Sequence, residues 1–284
     1  MDDEVDYSVM RLSAALTIAG SDSGGNAGVQ ADLRAFHTFG VHGCTVFTAL
    51  TAQNPFGVRS VILADPAFVG DQIDAVLETY GVMALKTGML AAPAIIEVVA
   101  DRLSANNRIP KVIDPVMVAT SGARLLQEDA EEMLKERLLP LAYLLTPNIP
   151  EAEVLSGRSG VTADGLPDLT RLLADRYGCS VLLKGGHLTE RPAEDYFYDG
   201  CSLYRLSTPA IDAPLSTHGT GCSLSAAITA SAACGHTMLD AVIDGKAYVY
   251  ESIRTAVHVG EVCTVLGMPK RLPTEAVRVE EIRP

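Results

Sequence analysis

The sequence predicts an α/β fold in which a mostly parallel central sheet is covered by helices on both faces. Short apolar runs alternate with amphipathic segments along the chain, which is typical of a parallel sheet. Polar and glycine residues recur where the predicted strands end, and in such a sheet those ends share one edge, where ligands bind. The 284 residues, 48% of them hydrophobic, suffice for a large core.

The first unit begins with a short apolar run at 14–19, which we predict as a buried strand because glycine bounds it. The polar, Gly-rich loop at 20–28 follows, and it matches neither GxGxxG nor the P-loop GxxxxGK[ST]. Val29, Leu33 and Phe36 then recur at spacings of four and three residues, which predicts one apolar face of a helix. Strand, loop and helix form the opening of a βαβ unit.

The later elements follow from the same periodicities. Strands are predicted at 44–50, 82–90, 111–115, 142–148 and 181–186, and helices at 66–80, 94–103, 128–138, 169–177 and 239–256, with another helix starting at 150. Pro66 suits the first turn of its helix. The β-branched run at 58–64 predicts an edge hairpin, and Asp199-Gly200 predicts a second hairpin over 196–204.

No composition shift or linker divides the chain. We therefore expect a single domain over 1–284, with an acidic N-terminal extension at 1–12 and a C-terminal tail at 261–284.

A Gly-rich turn at 216–222 leads into a run of small and apolar residues that predicts a helix of about three turns. Gly219 and Gly221 would let the backbone approach a ligand, while the unpaired first amides and the helix dipole form an anion site. Cys222 lies at the mouth of that site, where the pKa of a thiol is expected to fall. A plain Gly-rich turn before a packed core helix explains the same residues.

Composition excludes several classes of protein. The formal net charge of −13 argues against a nucleic-acid or anionic-membrane surface. The six cysteines form no CxxC pair, which suggests reduced thiols and a cytoplasmic setting. The acidic start is unlike a signal or transit peptide, and no apolar run reaches the roughly 18 residues of a membrane span.

The strand-end edge carries residues suited to phosphate chemistry. Asp114 and Glu151 each follow a strand and could hold Mg²⁺ through waters, although Glu151 also suits the first turn of a helix. Lys184 could neutralise phosphate charge or be simply solvated, and Cys222 could take a proton from a hydroxyl. Asp32 is either a solvated helix residue or a ligand contact.

A series of eight motifs stands in order along the chain, at 19–25, 27–33, 48–54, 86–90, 114–117, 146–153, 183–187 and 217–222. Taken together they resemble the hydroxymethylpyrimidine/phosphomethylpyrimidine kinases, thiamine-biosynthesis enzymes of the ribokinase-like superfamily. The resemblance runs from about residue 14 to residue 253.

The resemblance implies a ribokinase-like three-layer sandwich and an ATP- and Mg²⁺-dependent phosphotransferase. Such an enzyme phosphorylates 4-amino-5-hydroxymethyl-2-methylpyrimidine and then converts the monophosphate to the diphosphate. It also implies a homodimer that binds neither nucleic acid nor membrane.

The resemblance assigns roles by position. Gln53 would hydrogen-bond the aminopyrimidine, and Cys222 would occupy the place of the catalytic base. Gly20, Asp32, Thr51 and Met89 would line the pyrimidine pocket, and Gly219, Thr220 and Gly221 would form the anion hole for the transferring phosphoryl group. Asp114, Asn148 and Glu151 would organise Mg²⁺ and the phosphates. Lys184 and Lys246 would contact the nucleotide.

The first loop departs from the family's usual Gly-x-Asp-Pro-Ser-Gly-Gly-Ala-Gly. Ser23 stands in place of Pro, Gly24 in place of Ser, and Asn26 in place of Gly. Losing Pro and gaining Gly predicts a more mobile free loop, and Asn tolerates the left-handed backbone that Gly would adopt. These changes bear on how the loop closes over substrate.

Four other functions compete with this interpretation. A pyridoxal kinase is the nearest, since pyridoxine-type alcohols are also planar hydroxymethyl compounds, but Gln53 and Met89 favour a pyrimidine. A sugar kinase would have Asp at position 222. A non-catalytic pyrimidine sensor keeps the fold without turnover. A thiol hydrolase would need His218 as its base.

Overall fold

The computed structural model describes residues 11–117, 128–186, 193–211, 218–261 and 263–283. The strands are β1 Ala14–Asp22, β2 His42–Asn54, β3 Gly57–Leu63, β4 Val82–Thr87, β5 Lys111–Ile113, β6 Leu144–Leu145, β7 Ser180–Lys184, β8 Glu194–Tyr198, β9 Leu203–Ser207, β10 Val257–Val259, β11 Cys263–Val265 and β12 Arg278–Ile282. The helices are α1 Gly28–Thr38, α2 Pro66–Thr79, α3 Pro93–Ser104, α4 Glu128–Met133, α5 Ile149–Ser156, α6 Leu166–Tyr177, α7 Thr220–Ala233 and α8 Met238–Arg254.

Ten of these strands form one sheet in the order β12-β9-β8-β7-β6-β5-β4-β1-β2-β3. The six neighbours from β7 to β2 run parallel, whereas β3 at one edge and β8, β9 and β12 at the other pair antiparallel. Strands β10 and β11 form a separate hairpin. The predicted α/β class and its mostly parallel sheet are confirmed, as are both predicted hairpins.

Helices cover both faces of the sheet, as predicted. On one face α2, α3, α5 and α6 bury an apolar layer against the strands, and on the other face α1, α7 and α8 do so. Burial of these side chains is the main favourable term in folding. The three layers hold the carboxyl ends of the parallel strands at one edge.

Local signals set where several helices begin and end. The side chain of Asp65 accepts hydrogen bonds from two backbone N–H groups at the start of α2, with Pro66 as the first helical residue. Asn148 and Glu151 form a reciprocal capping box at the start of α5. That cap matters for function, because it places Glu151 at the strand-end edge.

The structure differs from the sequence prediction at four elements. Strand β1 continues through Gly20 to Asp22, so part of the predicted loop is strand. Strand β6 has only two residues, since Asn148 already caps α5. Helix α4 ends at Met133 and continues as a π-helical turn over Leu134–Leu138. The predicted tail contains β12, which pairs with β9 and closes one sheet edge.

The buried face of α1 is also different from the one predicted. Val29, Asp32 and Phe36 are buried, whereas Leu33 is 37% exposed. The helix therefore turns a carboxylate inward in place of the leucine, because that carboxylate has a buried cationic partner. A pattern of apolar residues alone does not detect such a pair.

Two further observations concern the part of the chain that the structure describes. No helix among the described residues is long and apolar enough to cross a membrane. All six cysteines lie in the part of the chain that the structure describes, and all six are free thiols.

Candidate active site

A cavity of about 140 Å³ lies at the edge where the parallel strands end. It is lined by Ala19, Gly20, Ser21, Asp22, Ala27, Gly28, Thr51, Gln53, Lys86, Gly88, Met89, Asp114, Val116, Asn148, Glu151, Lys184, His218, Gly219, Gly221 and Cys222. Eleven of the fourteen site residues that the sequence suggested are among them; Asp32, Thr220 and Lys246 are not. The geometry thus confirms that one sheet edge gathers the strand-end polar residues, while their roles stay predictions.

The turn before α7 forms one wall of the cavity. Gly219 caps the helix with a left-handed backbone, at φ +88°. A Cβ on Gly219 would lie 1.9 Å from the carbonyl oxygen of Asn26, so only glycine lets the two loops meet. Gly219, Gly221 and Cys222 line the cavity at the N-terminus of α7, where the helix dipole suits it to anions.

Cys222 lies in the first turn of α7 and lines the cavity. Burial raises the pKa of its thiol, while the Lys86 ammonium and a hydrogen bond from the backbone N–H of Gly28 act in the opposite direction. The expected fall in this pKa is therefore wrong for the ligand-free site. The helix N-terminus is present, but desolvation of the thiolate outweighs it.

Asp114 and Lys184 form an ion pair across the strand ends. The Lys184 Nζ lies 2.8 Å from the Asp114 Oδ1, and both side chains are largely buried. Burial opposes the charge of Lys184, but Asp114 and Glu151 raise its pKa, so the lysine is a cation at the site. Lys184 is therefore held in place by the site and is not a solvated strand-end residue.

Glu151 faces this pair from the first turn of α5. Its Oε2 accepts the backbone N–H of Asn148 at 2.8 Å, and the side chain of Asn148 accepts the N–H of Glu151 at 2.8 Å. Burial raises the pKa of Glu151 to about 7, with Asp114 adding to the rise and Lys184 opposing it. Glu151 is therefore partly protonated near neutral pH, chiefly because it is buried.

These donors fit a magnesium ion bound mainly through water. The described residues contain no cluster of three or more acidic, His or Cys side chains that could cage a metal. Mg²⁺ retains several waters and is usually held by one or two carboxylates together with substrate phosphates. Asp114 and Glu151, which both line the cavity, would be those carboxylates.

The first loop is organised around the carboxylate of Asp22. Its oxygens accept the backbone N–H groups of Gly24, Asn26 and Ala27 at 2.8–2.9 Å. Burial opposes ionisation, but His218 and these N–H groups lower the pKa of Asp22. The left-handed residues of the loop region are Gly25 and Gly28, so Asn26 does not adopt the left-handed backbone expected of it.

Ser23 ties this loop to the end of β2. Its hydroxyl donates to the carbonyl oxygen of Gln53 at 2.7 Å and accepts the backbone N–H of Gln53 at 2.8 Å. A Pro at position 23 could form neither bond. The substitution that predicts a mobile loop therefore also provides a double hydrogen bond that fastens it.

Gln53 lines the same cavity as Lys184. Its Oε1 is 3.2 Å from the Oγ1 of Thr51, and its Nε2 is 3.0 Å from the Nε2 of His218. Gly20 and Met89 form a wall nearby, since a Cβ on Gly20 would lie 2.5 Å from the Met89 Cε. The predicted pyrimidine contacts, apart from Asp32, thus adjoin one another.

Asp32 does not line the cavity; it lies behind Lys86, which does. Its Oδ1 pairs with the Nζ of Lys86 at 2.7 Å and its Oδ2 accepts the hydroxyl of Thr17 at 2.6 Å, with Asp32 and Lys86 fully buried. Burial opposes the charge of Lys86, but Asp32 raises its pKa. Asp32 therefore holds Lys86, and Lys86 is the member of the pair that reaches the cavity.

Two other predicted residues also lie off the cavity wall. Lys246 on α8 pairs with Asp195 on β8 at 2.6 Å, and the same carboxylate accepts the backbone N–H of Gly185. This pairing draws Lys246 into the interface between helix and sheet. Thr220 begins α7 between two glycines that do line the cavity.

Sequence reasoning assigned no role to Lys86 or Asp22, and it noted Ser23 only as a departure from the family's usual loop. Lys86 ends an otherwise apolar strand, and a lysine in such a strand needs a buried carboxylate partner, which is a usable signal. The contact that Ser23 makes could not be foreseen, because its partner is the backbone of Gln53, 30 residues away. Asp22 carried no signal beyond its place in a polar loop, although its partners lie within five residues of it.

A glycine turn before a helix, sharing a cavity with carboxylates and a lysine at the edge of a mostly parallel α/β sheet, is typical of kinases of the ribokinase-like class. The family model described as Phosphomethylpyrimidine kinase matches residues 22–266. The chain belongs to that family, whose members are phosphotransferases.

Similar proteins agree with this placement. The chain is 46% identical over 253 residues to the hydroxymethylpyrimidine/phosphomethylpyrimidine kinase of Synechococcus elongatus, covering 89% of this chain and 95% of that protein. It is 45% identical over 245 residues to a thiamine biosynthesis bifunctional protein of Geobacter sulfurreducens, covering 86% of this chain but spanning only 50% of that longer protein.

A solved structure gives the same fold. The pyridoxal kinase of Staphylococcus aureus in complex with AMP-PCP superposes with a TM-score of 0.85 at 32% identity, covering 96% of this chain and 100% of that one. The ribokinase-like architecture is thereby confirmed.

Proposed function

We propose that the protein is an ATP- and Mg²⁺-dependent kinase that phosphorylates 4-amino-5-hydroxymethyl-2-methylpyrimidine and then its monophosphate, within a single domain. One observation carries the proposal: Gln53, Lys184, Asp114 and the turn ending at Cys222 converge on one cavity. A heteroaromatic alcohol bound at Gln53 and a nucleotide triphosphate at Lys184 would place their reacting groups between these residues. The two relatives described above support the same pyrimidine and pathway.

In this proposal the chain acts mainly by positioning and charge neutralisation, which dominate phosphoryl transfer. The amides at Gly219 and Gly221 bind the oxygens of the transferring phosphoryl group, and Lys184 offsets their charge. The Cys222 thiolate accepts the proton of the substrate hydroxyl as its oxygen bonds to phosphorus and ADP leaves. Mg²⁺, held by Asp114 and Glu151 through waters, would neutralise phosphate charge when bound.

A second candidate, pyridoxal phosphorylation, is favoured by the close likeness to a pyridoxal kinase. The deciding assay measures ATP- and Mg²⁺-dependent phosphorylation of hydroxymethylpyrimidine, its monophosphate and pyridoxal side by side. We expect turnover of both pyrimidines and weak turnover of pyridoxal. Turnover of pyridoxal alone would replace the proposal, and binding without any turnover would favour a sensor.

We also propose a homodimer that uses the β2–β3 edge. Leu50 and Ile62 are cross-strand partners on one face, and they are 56% and 70% exposed. Exposed apolar side chains paired across a sheet edge are typical of association surfaces. Sedimentation should give twice the mass of one chain, and Ile62→Glu should shift it toward one chain; a wild-type monomer would contradict the proposal.

A further inference from the structure

Two lysines among the described residues line the cavity, and they lie at different places in its wall. The Nζ of Lys184 is 3.6 Å from the position that a Cβ on Gly221 would take, at the turn before α7. The Nζ of Lys86 is 3.8 Å from the corresponding position on Gly88, which precedes Met89 in the cavity wall. Lys184 therefore lies beside the proposed anion turn, whereas Lys86 lies on the side of the proposed pyrimidine.

The ammonium group of Lys86 has hydrogen-bonding capacity to spare. The side chain is fully buried, and its one hydrogen bond to the part of the chain that the structure describes goes to the Asp32 Oδ1 at 2.7 Å. An ammonium group has three N–H donors, so two of them lack a partner among these residues. Buried donors are costly to leave unpaired, and the cavity is where a ligand could supply the missing acceptors.

The counterions of the two lysines are placed differently as well. Asp114 pairs with Lys184 at 2.8 Å, and both residues line the cavity. Asp32 lies behind the cavity wall, where its second oxygen accepts the hydroxyl of Thr17 at 2.6 Å. The pair of Lys86 and Asp32 thus presents its positive member to the cavity and its negative member to the interior, which favours an anion in the cavity.

The second phosphorylation of the proposed reaction requires a cation on the acceptor side. A phosphate monoester carries about −1.5 to −2 charges at pH 7, because its second pKa is about 6, whereas the alcohol carries none. In this step an oxygen of the acceptor phosphate bonds to the terminal phosphorus of ATP, while the bond from that phosphorus to ADP breaks. Two anionic groups must therefore approach each other, and each needs a cation.

We propose that Lys86 binds the phosphate of the monophosphate substrate and determines whether the site accepts a phosphate ester after the alcohol. Its two remaining N–H groups donate to phosphate oxygens, and Asp32 is the positioning residue that holds the ammonium group in place. The inference rests on the proposed function, in which the monophosphate is the second substrate.

The test compares binding of 4-amino-5-hydroxymethyl-2-methylpyrimidine and of its monophosphate by titration calorimetry. Lys86→Gln combined with Asp32→Asn removes the cation without leaving a buried carboxylate unpaired. In this double variant the monophosphate should bind about 10- to 100-fold more weakly, since hydrogen bonds between charged groups are the stronger ones. The affinity for the alcohol should change by less than about threefold, and kcat/KM should fall more for the second phosphorylation than for the first.

Lys111→Gln is the matched control. Lys111 is also a buried lysine of the sheet, but it lies at the start of β5, donates to the carbonyl oxygens of Asn106 and Ile109, and is not among the residues that line the cavity. Its loss should leave the ratio of the two pyrimidine affinities unchanged. Binding of AMP-PCP, measured for every variant, reports whether the fold is intact and should change by less than about twofold in the double variant, because Lys184 remains. Lys86→Gln alone serves if the double variant does not fold, with the same expected ratio.

The possible outcomes separate the inference from the proposed function. Equal losses for the alcohol and the monophosphate overturn the inference, because they indicate a structural role for Lys86. An unchanged affinity for the monophosphate overturns it also, and so does a loss confined to AMP-PCP, which would assign the cation to the nucleotide. Wild type that binds the alcohol but not the monophosphate overturns the inference together with the second phosphorylation. Failure of wild type to bind either pyrimidine, with AMP-PCP still bound, contradicts the proposed function itself.

Discussion

The thiol of Cys222 carries the sharpest prediction at the scale of a single residue. If it accepts the substrate proton, Cys222→Ala should lower kcat by about 10²- to 10⁴-fold. Binding of AMP-PCP should change by less than about twofold, because the backbone amides and Lys184 remain. Cys201→Ser, at an exposed thiol, is the matched control.

The pH dependence of kcat in wild type and in Cys222→Ala shows whether Cys222 acts as a base or only packs beside the substrate. Burial raises the pKa of Cys222 above its ordinary value, so the thiolate fraction, and with it kcat, should increase as the pH rises from 7 to 9. The rising limb should be absent from Cys222→Ala. Full activity in the variant, or an unchanged profile, argues against a proton acceptor at this position.

Glu151 provides a second residue-scale prediction, on stability. Its pKa is raised from 4.5 to about 7 by burial, so between those values the native state holds a proton that the unfolded chain has lost. Stability therefore falls as the pH rises through this window, by up to about 3 kcal/mol. Glu151→Gln keeps a capping-box side chain and should be the more stable protein at pH 8 without Mg²⁺, with no gain at pH 4.5.

Urea unfolding at the two pH values measures this difference, with Glu132→Gln at an exposed position as the control. Mg²⁺ with nucleotide should stabilise wild type more than Glu151→Gln, and kcat of the variant should be lower. Equal stability of the two proteins at pH 8 would show that the buried carboxylate is compensated by another group.

Sequence alone identifies a site residue when its chemistry and its chain position agree. Asp114 and Lys184 satisfy both conditions, since each follows a strand and each suits phosphate chemistry. Asp32 shows the limit: its type suits a ligand contact, but a buried partner 54 residues away holds it behind the cavity wall. Only the packing of α1 against the sheet reveals that partner.

At the scale of elements, the start of α7 is set by one glycine, and a second glycine just beyond its end supplies a control. Gly219 and Gly235 have φ of +88° and +90°, but a Cβ on Gly235 would meet nothing within 4 Å. Gly235→Ala should therefore cost only backbone strain, about 1–2 kcal/mol. Gly219→Ala carries the same strain plus the clash with Asn26, so it should cost more and displace the anion turn.

The measurement is kcat and the free energy of unfolding for both variants. Gly219→Ala should lose about 10²-fold in kcat, comparable to removing an oxyanion donor, while Gly235→Ala keeps wild-type kcat. Equal losses in the two variants would show that strain in α7, and not contact between the loops, governs the turn.

Periodicity predicts whether an element exists better than where it ends. The helices at 94–103 and 169–177 are observed as α3 and α6 with longer bounds, because apolar spacing is strong in their middles. Strand β6 has only two residues, because Asn148, which the pattern placed in the strand, caps the next helix. Strand β12 gave no sequence signal, since its pairing with β9 spans more than 70 residues.

At the scale of the whole molecule, the site exists because the topology brings together residues that are far apart in the sequence. Thr17, Lys86, Asp114 and Lys184 sit on or just after β1, β4, β5 and β7, which lie within five consecutive strands of the sheet. The alternation of strands and helices, together with the polar residues at the strand ends, predicts that these residues meet at one edge of the sheet. The sequence pattern does not predict which ion pairs form between the helices and the sheet.

Lys246 and Asp195 form such a pair, joining α8 to β8 with side chains 8% and 11% exposed. Lys246→Met should lower stability by about 3–5 kcal/mol because Asp195 is left buried without its cation. Asp195→Asn with Lys246→Met should recover much of that loss, since no charge then remains uncompensated. Lys270→Met, at an exposed position, is the control.

The KM for ATP distinguishes this structural role from the adenosine contact that the sequence suggested. Lys246 lies off the cavity wall, so the KM of the single variant, measured well below its Tm, should stay within about twofold of wild type. Because Asp195 also holds the N–H of Gly185 beside Lys184, any rise in KM should be reversed in the double variant. A large rise in the KM for ATP with unchanged stability would instead indicate that Lys246 contacts the nucleotide, and that α8 reorganises when ATP binds.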